Sequence, residues 1–164
     1  EDFRRRYREK NLDFGITRIG VLTGPAAVGN FGSKTRLSYT AQGDAVNAAS
    51  RLEGLNKQFG THICVSGETR ALCNDVQFRE IASVILKGKT VPTMVWEPLH
   101  PQSRSAELLE PYRAAFAKTA ALAPEAKAMF AALAAEAPGD SCIRWHAERL
   151  AQGHEGVEFK MTEK

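Results

Sequence analysis

The sequence has few cysteines, and their spacing fits no disulfide or metal pattern. There are three of them, an odd number, at the widely spaced positions Cys64, Cys73 and Cys142. No two of them form a CxxC pair. Free thiols in a reducing compartment are therefore expected. The histidines are equally scattered: they are His62, His100, His146 and His154. Neither a disulfide-stabilised secreted domain nor a zinc site is expected.

Long apolar runs and a strong charge excess are also missing. No run approaches the ~20 apolar residues that a membrane-spanning helix needs, and the first residues do not resemble a signal peptide. The 22 basic and 19 acidic residues leave a net charge of only +3. The one basic cluster, at residues 4–8, contains Tyr7 and is typical of a solvated helix face. We expect no nucleic-acid binding and no membrane contact from this chain, and a cytoplasmic location.

Glycine is concentrated at residues 24–35, but not in the order of a phosphate-binding loop. A Walker loop has Lys and then Ser or Thr directly after its second Gly. Gly24 and Gly29 have the required gap, yet Asn30 and Phe31 follow, and no GxGxxG fingerprint is present. These glycines are instead expected in tight turns and where strands approach each other closely.

Composition changes sharply near residue 100. Residues 16–99 are rich in Gly, Val, Ile and Thr, whereas Ala, Leu, Glu, Lys and Arg dominate residues 105–152. We predict an α/β domain over residues 1–99, a linker over residues 100–105 and a helical extension over residues 106–164. The expected fold class is therefore α/β followed by a small α-helical tail.

Local patterns place the elements within these parts. Strands are predicted at residues 17–22, 26–28, 37–40, 62–65, 78–86 and 91–99, the first of them buried and the second ending at Gly29. A helix is predicted from Asp44 to Gly60, with a buried stripe of Val46, Ala49, Leu52, Leu55 and Phe59. Ser66 is expected to cap a short helix. Three further helices are predicted at residues 106–121, 125–136 and 140–151.

Two polar side chains lie on one face of the predicted central helix. Asn47 and Arg51 are four residues apart and therefore neighbours, and Arg51 has no acidic residue three or four positions away. An amide beside a guanidinium can orient a ribose and neutralise a phosphate whose charge is being redistributed. On spacing alone, an ordinary surface arginine beside an asparagine is the simpler interpretation.

A lysine pair flanks the turn between the last two strands of the first part. Lys87 and Lys89 surround Gly88 in a predicted hairpin. Such lysines either protect a sheet edge or contact a phosphate, and spacing leaves both interpretations open.

Taken together, these motifs resemble the class III adenylate and guanylate cyclase catalytic domain. Residues 18–24 read RIGVLTG, residues 28–33 read VGNFGS and residues 39–47 read YTAQGDAVN, in the family's order. The resemblance continues through RLE at residues 51–53 and LKGK at residues 86–89. It covers residues 15–99 and implies the C-terminal half of a ferredoxin-like cyclase domain, N-terminally truncated. Residues 107–164 resemble, less specifically, the C-terminus of bacterial sensor-linked adenylate cyclases.

The resemblance implies a role for each of four residues. Asn47 would orient the ribose, and Arg51 would stabilise the transition state at the α-phosphate. Lys87 would contact the terminal phosphates. Thr40 occupies the position that reads the purine edge, where a hydroxyl can accept a hydrogen bond from the adenine amino group. ATP is therefore the expected substrate, with cyclic AMP and pyrophosphate as products, and a guanylate cyclase is the alternative within the family.

The same resemblance implies two Mg or Mn ions held by aspartates that this sequence does not contain. In the family those aspartates lie in the first half of the domain, and the active site forms between two subunits. Asp13 and Asp44 stand in the wrong context to replace them. No metal ligand is therefore expected in this chain, which would be inactive alone and would need a second cyclase subunit as partner.

Another class of function is compatible with the same sequence. A non-catalytic module that dimerises with, or regulates, a cyclase would have the same fold without the half that binds the metal ions. A longer parent protein, anchored to the membrane through an upstream sensor region, is compatible with both the enzyme and the non-catalytic interpretation.

Overall fold

The computed structural model describes residues 5–7, 9–11, 15–86 and 90–161, which form a mixed sheet covered by helices. The predicted α/β class is confirmed. The strands are β1 Ile19–Val21, β2 Ala27–Ser33, β3 Arg36–Gln42, β4 Ile63–Ser66, β5 Gln77–Ile85, β6 Thr93–Leu99 and β7 Glu158–Lys160. The helices are α1 Asp44–Phe59, α2 Gly67–Ala71, α3 Arg104–Glu107, α4 Leu109–Ala120, α5 Glu125–Glu136 and α6 Ser141–Ala151. In the described part of the chain, no helix is long and apolar enough to cross a bilayer.

Five strands form the main sheet in the order β1-β4-β6-β5-β7. β4, β6 and β5 pair antiparallel, with a bulge between Glu80 and Ala82, while β1 and β7 add to the two sides in parallel. The three residues of β7 are too few to show a period, and the sequence did not predict them. Because β7 pairs with β5, residues from both ends of the described chain belong to one sheet.

β2 and β3 form a separate two-stranded hairpin. The prediction that β2 stops at Gly29 is wrong, because Gly29 and Asn30 pair with Thr40 and Tyr39 of β3 and continue the ladder. The hairpin turn is at Lys34 and Thr35. Gly32, just before it, has a φ of 140°, and a Cβ there would lie 2.0 Å from the carbonyl oxygen of Arg36. Only glycine fits that position.

β1 is shorter and more exposed than the buried strand predicted at residues 17–22. It spans three residues, and Ile19 is 45% exposed. In the described sheet β1 pairs only with β4, so its other side has no strand to cover it. An apolar edge of this kind is an aggregation hazard in an isolated chain.

Helix α1 packs against β1 and β4 with a face slightly different from the predicted stripe. Leu52, Leu55 and Phe59 are fully buried as expected, but Val46 is 38% exposed. The stripe runs instead through Ala48 and includes Asn56. Asp44 stands in the first turn, where its charge complements the helix dipole. Gly60 ends the helix with a φ of 70°, as predicted.

The side chain of Asn56 fixes α1 to its neighbours. It is completely buried. Its amide nitrogen donates to the carbonyl oxygens of Ile19 and Glu53, both at 3.0 Å, and its oxygen accepts from the hydroxyl of Thr61 at 2.8 Å. One amide therefore joins α1 to β1 and to the turn that leads into β4.

We expect Asn56→Ala to lower the free energy of unfolding by about 2–4 kcal/mol, because it leaves the Ile19 carbonyl and the Thr61 hydroxyl without this partner. Urea unfolding with an unchanged m-value would measure the loss. Gln58→Ala, an exposed position on the same helix, should change stability by less than about 0.5 kcal/mol. Equal effects of the two substitutions would contradict this account of Asn56.

The three predicted helices of the second part are present, with the first divided at Leu108 into α3 and α4. Ser103 caps α3 by accepting a hydrogen bond from the amide of Ala106. Helix therefore begins at Arg104, inside the predicted linker. Phe59 and Val84 share one hydrophobic cluster with Tyr112, Phe130 and Ile143. The division of the chain at residues 100–105 stays a prediction.

Candidate active site

Two of the predicted site residues lie on the outer face of α1. Asn47 is exposed and Arg51 is half-buried, one helical turn further along. Side chains four residues apart on a helix lie about 6 Å from each other. Within the residues that the structure describes, neither side chain has a hydrogen bond or an ion pair. An amide and a guanidinium therefore stand side by side with their donors available to a ligand.

Thr40 is held close to the start of that helix by the hairpin. It is exposed, and it pairs across the ladder with Gly29. β3 packs against α1, and the connection between them passes through Gly43. A Cβ at Gly43, whose φ is 149°, would lie 3.3 Å from the carbonyl oxygen of Pro25. This close passage fixes how the strand that carries Thr40 enters the helix that carries Asn47.

Lys87, the fourth predicted site residue, lies outside the described residues. The described residues before and after positions 87–89, Leu86 and Thr90, border a cleft of about 460 Å³ at the first turn of α1. The segment Thr23–Pro25 and the residues Asp44 and Glu68 border the same cleft. The sequence did not single out Thr23 or Glu68 as site residues, because they come from separate segments.

We tested whether the described residues could hold the divalent ions that the resemblance implies. No group of three or more His, Cys, Asp or Glu side chains that could bind a metal occurs in residues 5–7, 9–11, 15–86 and 90–161. Asp44 and Glu68 border the same cleft but are not part of such a group. The described residues therefore do not fit a two-metal site.

Cys64, Cys142 and His146 are buried titratable residues that pack in the core outside this surface. Burial raises the pKa of Cys64 and of Cys142 to about 12, so both thiols stay protonated. Burial also lowers the pKa of His146 to about 3. The neutral His146 ring stacks on Phe130, with 4.5 Å between the ring centroids, and its Nε2 lies 3.0 Å from the hydroxyl of Tyr112. None of these groups is placed to act as nucleophile or base.

Comparison with known sequences places this chain among nucleotide cyclases. Residues 5–97 match the family model for the adenylate and guanylate cyclase catalytic domain. Adenylate cyclase 1 of Rhizobium meliloti (strain 1021) is 45% identical over 98 residues, which are 59% of this chain and 15% of that protein. An adenylate cyclase of Anabaena cylindrica is 38% identical over 73 residues, or 44% of this chain and 14% of the relative.

A solved structure agrees with the sequence comparison. The crystal structure of the adenylyl cyclase CyaB from P. aeruginosa superposes with a TM-score of 0.52 and is 31% identical, covering 63% of this chain and 52% of that one. The chain thus spans about half of the solved structure and about one seventh of the two relatives described above. Because the family model matches more than half of its residues, the chain belongs to the family of adenylate and guanylate cyclase catalytic domains.

Proposed function

We propose that this chain supplies the ribose- and phosphate-binding half of an adenylate cyclase active site. The observation that carries the proposal is the exposed face of α1, where Asn47 and Arg51 lie side by side without a partner in the described residues. The relatives compared above are named adenylate cyclases, which favours ATP as substrate. Conversion of ATP to cyclic AMP is a cytoplasmic reaction on this proposal, in keeping with the free thiols.

The reaction requires the ribose 3′-oxygen to attack the α-phosphorus of the same nucleotide. The new P–O bond forms as the bond to the bridging oxygen of the β-phosphate breaks, the hydroxyl proton goes to solvent, and pyrophosphate leaves. Negative charge is redistributed over the α-phosphate and the leaving group during this step. Divalent cations, when bound, would help to neutralise the triphosphate and activate the hydroxyl.

Each residue of the proposed half-site has one task in this scheme. The carboxamide of Asn47 holds the ribose so that the 3′-oxygen stays in line with the α-phosphorus. The guanidinium of Arg51 donates to the oxygens on which charge accumulates, and such preorganised donors contribute several kcal/mol to catalysis. Thr40 accepts from the adenine amino group. Lys87 neutralises the terminal phosphates.

The metal-binding half must come from a second cyclase subunit on this proposal. The described residues of this chain contain no group of three or more His, Cys, Asp or Glu side chains that could hold a metal ion. We therefore expect the chain alone to form no cyclic AMP from ATP with either Mg²⁺ or Mn²⁺.

Complementation tests the proposal directly. A full-length relative in which the arginine at the position of Arg51 is replaced by Ala retains its own metal half. Mixing it with this chain should restore cyclic AMP formation, measured against each protein alone. A mixture as inactive as its components would refute a competent half-site here, and turnover by the chain alone would refute its dependence on a partner.

A non-catalytic dimerising module is the second candidate, and the hairpin favours it. Val28, Leu37 and Tyr39 point to one side of the β2–β3 ladder and are 62%, 63% and 76% exposed. Titration with an unreactive ATP analogue separates the two functions. Binding that is lost in Asn47→Ala and Arg51→Ala supports the enzyme half-site, whereas concentration-dependent self-association without nucleotide binding supports the module. Tighter binding of the corresponding GTP analogue than of the ATP analogue would instead indicate a guanylate cyclase.

A further inference from the structure

The C-terminal end of α1 is enclosed by residues from the helical extension. Phe59, the last residue of α1, is fully buried. Its ring meets those of Trp145 and Phe159 edge to face, with centroids 4.8 Å and 5.2 Å away. The ring centroids of Trp145 and Phe159 are 5.9 Å apart. We refer to Phe59, Trp145 and Phe159 as the aromatic clamp.

The backbone at this end of α1 is equally constrained. Gly60 follows Phe59 in the left-handed region, and a Cβ there would lie 2.4 Å from the Cβ of Ser141. Ser141 is the first residue of α6. The backbone at the end of α1 therefore approaches the first residue of α6 so closely that position 60 has no room for a side chain.

The beginning of α6 is fixed to the sheet by charge. Asp140 caps α6 by accepting from the amide of Ile143 at 3.0 Å, and it also accepts from both terminal nitrogens of Arg79, at 2.6 and 3.0 Å. Arg79 belongs to β5 and binds Glu97 of β6 as well. Helix α6 is thus held to the central strands, and through the aromatic clamp it holds α1.

We propose that the aromatic clamp positions Asn47 and Arg51, so that its residues act on catalysis through the orientation of α1. The proposal rests on the function proposed above. Arg51 lies eight residues before Phe59, or about 12 Å along the helix axis. A tilt of about 5° at the clamped end would therefore move Arg51 by about 1 Å. Misplacement of a catalytic group by that distance is enough to reduce a rate up to ~10²-fold.

The other end of α1 is supported from residues 1–99. The hairpin that precedes it is exposed along most of its length and belongs to no larger sheet in the described residues. The N-terminal turns are held instead by β1 and the residues after it: a Cβ at Gly20 would lie 2.1 Å from the carbonyl oxygen of Ala49, and one at Gly24 would lie 2.9 Å from the Cβ of Ala45. Trp145 and Phe159 of the clamp, together with Ser141, support the C-terminal end of α1 from outside residues 1–99.

Phe159→Leu tests the clamp against a matched control, Phe130→Leu. Phe159 contacts α1, whereas Phe130 is buried between Tyr112 and His146 within the extension. In the complementing mixture, and at equal folded fraction, Phe159→Leu should lower kcat by about 10-fold and change KM less than about twofold. Phe130→Leu should leave both constants near those of the unsubstituted chain. Phe159→Tyr, which keeps the ring, should restore kcat.

Amide hydrogen exchange of residues 44–52 in the nucleotide-free chain gives a readout without catalysis. Exchange in Phe159→Leu should be about 3- to 10-fold faster than in Phe130→Leu, each normalised to the amides of β6. Equal exchange, or an equal loss of kcat in the two variants, would overturn the positioning role. If the unsubstituted mixture forms no cyclic AMP, the proposed function fails, and the exchange rates alone then decide whether the clamp orders α1.

Discussion

Arg51→Ala should reduce cyclic AMP formation by the complementing mixture about 10²- to 10³-fold. The guanidinium is the one cation on the outer face of α1 beside Asn47, and it donates to oxygens that gain charge only as the reaction proceeds. Loss of one preorganised donor of this kind costs about that factor in kcat. KM for ATP should change much less, because the interaction is stronger in the transition state than in the ground state.

The control for this prediction is another cation of the same helix. Lys57 lies in the last turn of α1 and is exposed on a different face. Lys57→Ala should leave kcat within about twofold, and a similar loss in both variants would mean that net charge rather than Arg51 is responsible. Arg51→Lys should recover only part of the rate, because an ammonium cannot reproduce the planar fork of the guanidinium.

The stability of Arg51→Ala separates catalysis from folding. Arg51 has no hydrogen bond or ion pair with any described residue, so its removal should change the free energy of unfolding by less than about 1 kcal/mol. Asn56, five residues later, shows the opposite case, because its amide is buried and bonded on three sides. Two polar side chains of one helix are thus predicted to have separable effects, one on rate and one on stability.

The sequence predicted α1 well because a helix carries its own evidence. Sixteen residues between Gly43 and Gly60 contain four turns of apolar spacing, and the face of Asn47 and Arg51 follows from the same period. The exact buried stripe was less predictable. Val46 is apolar and Asn56 is polar, yet Asn56 is the buried one, because its hydrogen-bond partners come from β1 and Thr61. Local periodicity contains no information about such partners.

Pairing between distant segments explains the other differences. β2 continues through Gly29 because β3 supplies its ladder, although glycine alone suggests a break. β7 is a strand because β5 is available beside it. The cleft next to Leu86 brings Thr23 and Glu68 together from different segments. In each case the deciding contact joins residues too far apart in the sequence for a pattern to show it.

The ion cluster that joins the extension to the sheet is the clearest example. Arg79 and Asp140 are 61 positions apart, and both side chains are almost inaccessible, at 4% and 6% exposure. Burial by itself raises the pKa of Asp140. The hydrogen bonds and positive charge of Arg79, together with hydrogen bonds from Ser105 and the amide of Ile143, outweigh burial and leave the pKa of Asp140 below its ordinary value. The carboxylate is therefore charged in the folded state at neutral pH.

Asp140→Ala should lower the free energy of unfolding by about 3–5 kcal/mol, because it leaves the buried guanidinium of Arg79 with Glu97 as its one remaining carboxylate partner and removes the cap of α6. Urea unfolding at pH 7 measures this loss. Glu136→Ala is the matched control. It breaks the ion pair between Glu136 and Arg104, whose side chains are 51% and 55% exposed, and it should leave the free energy of unfolding almost unchanged because solvent screens that pair. The stabilisation that Asp140 provides is present above the pKa of an unfolded Asp, about 4, and disappears as pH falls through the lower folded value. The unsubstituted chain should therefore lose this increment of stability in acid, whereas Asp140→Ala should not. Equal losses at pH 7 in Asp140→Ala and Glu136→Ala would show that the cluster does not hold the extension to the sheet.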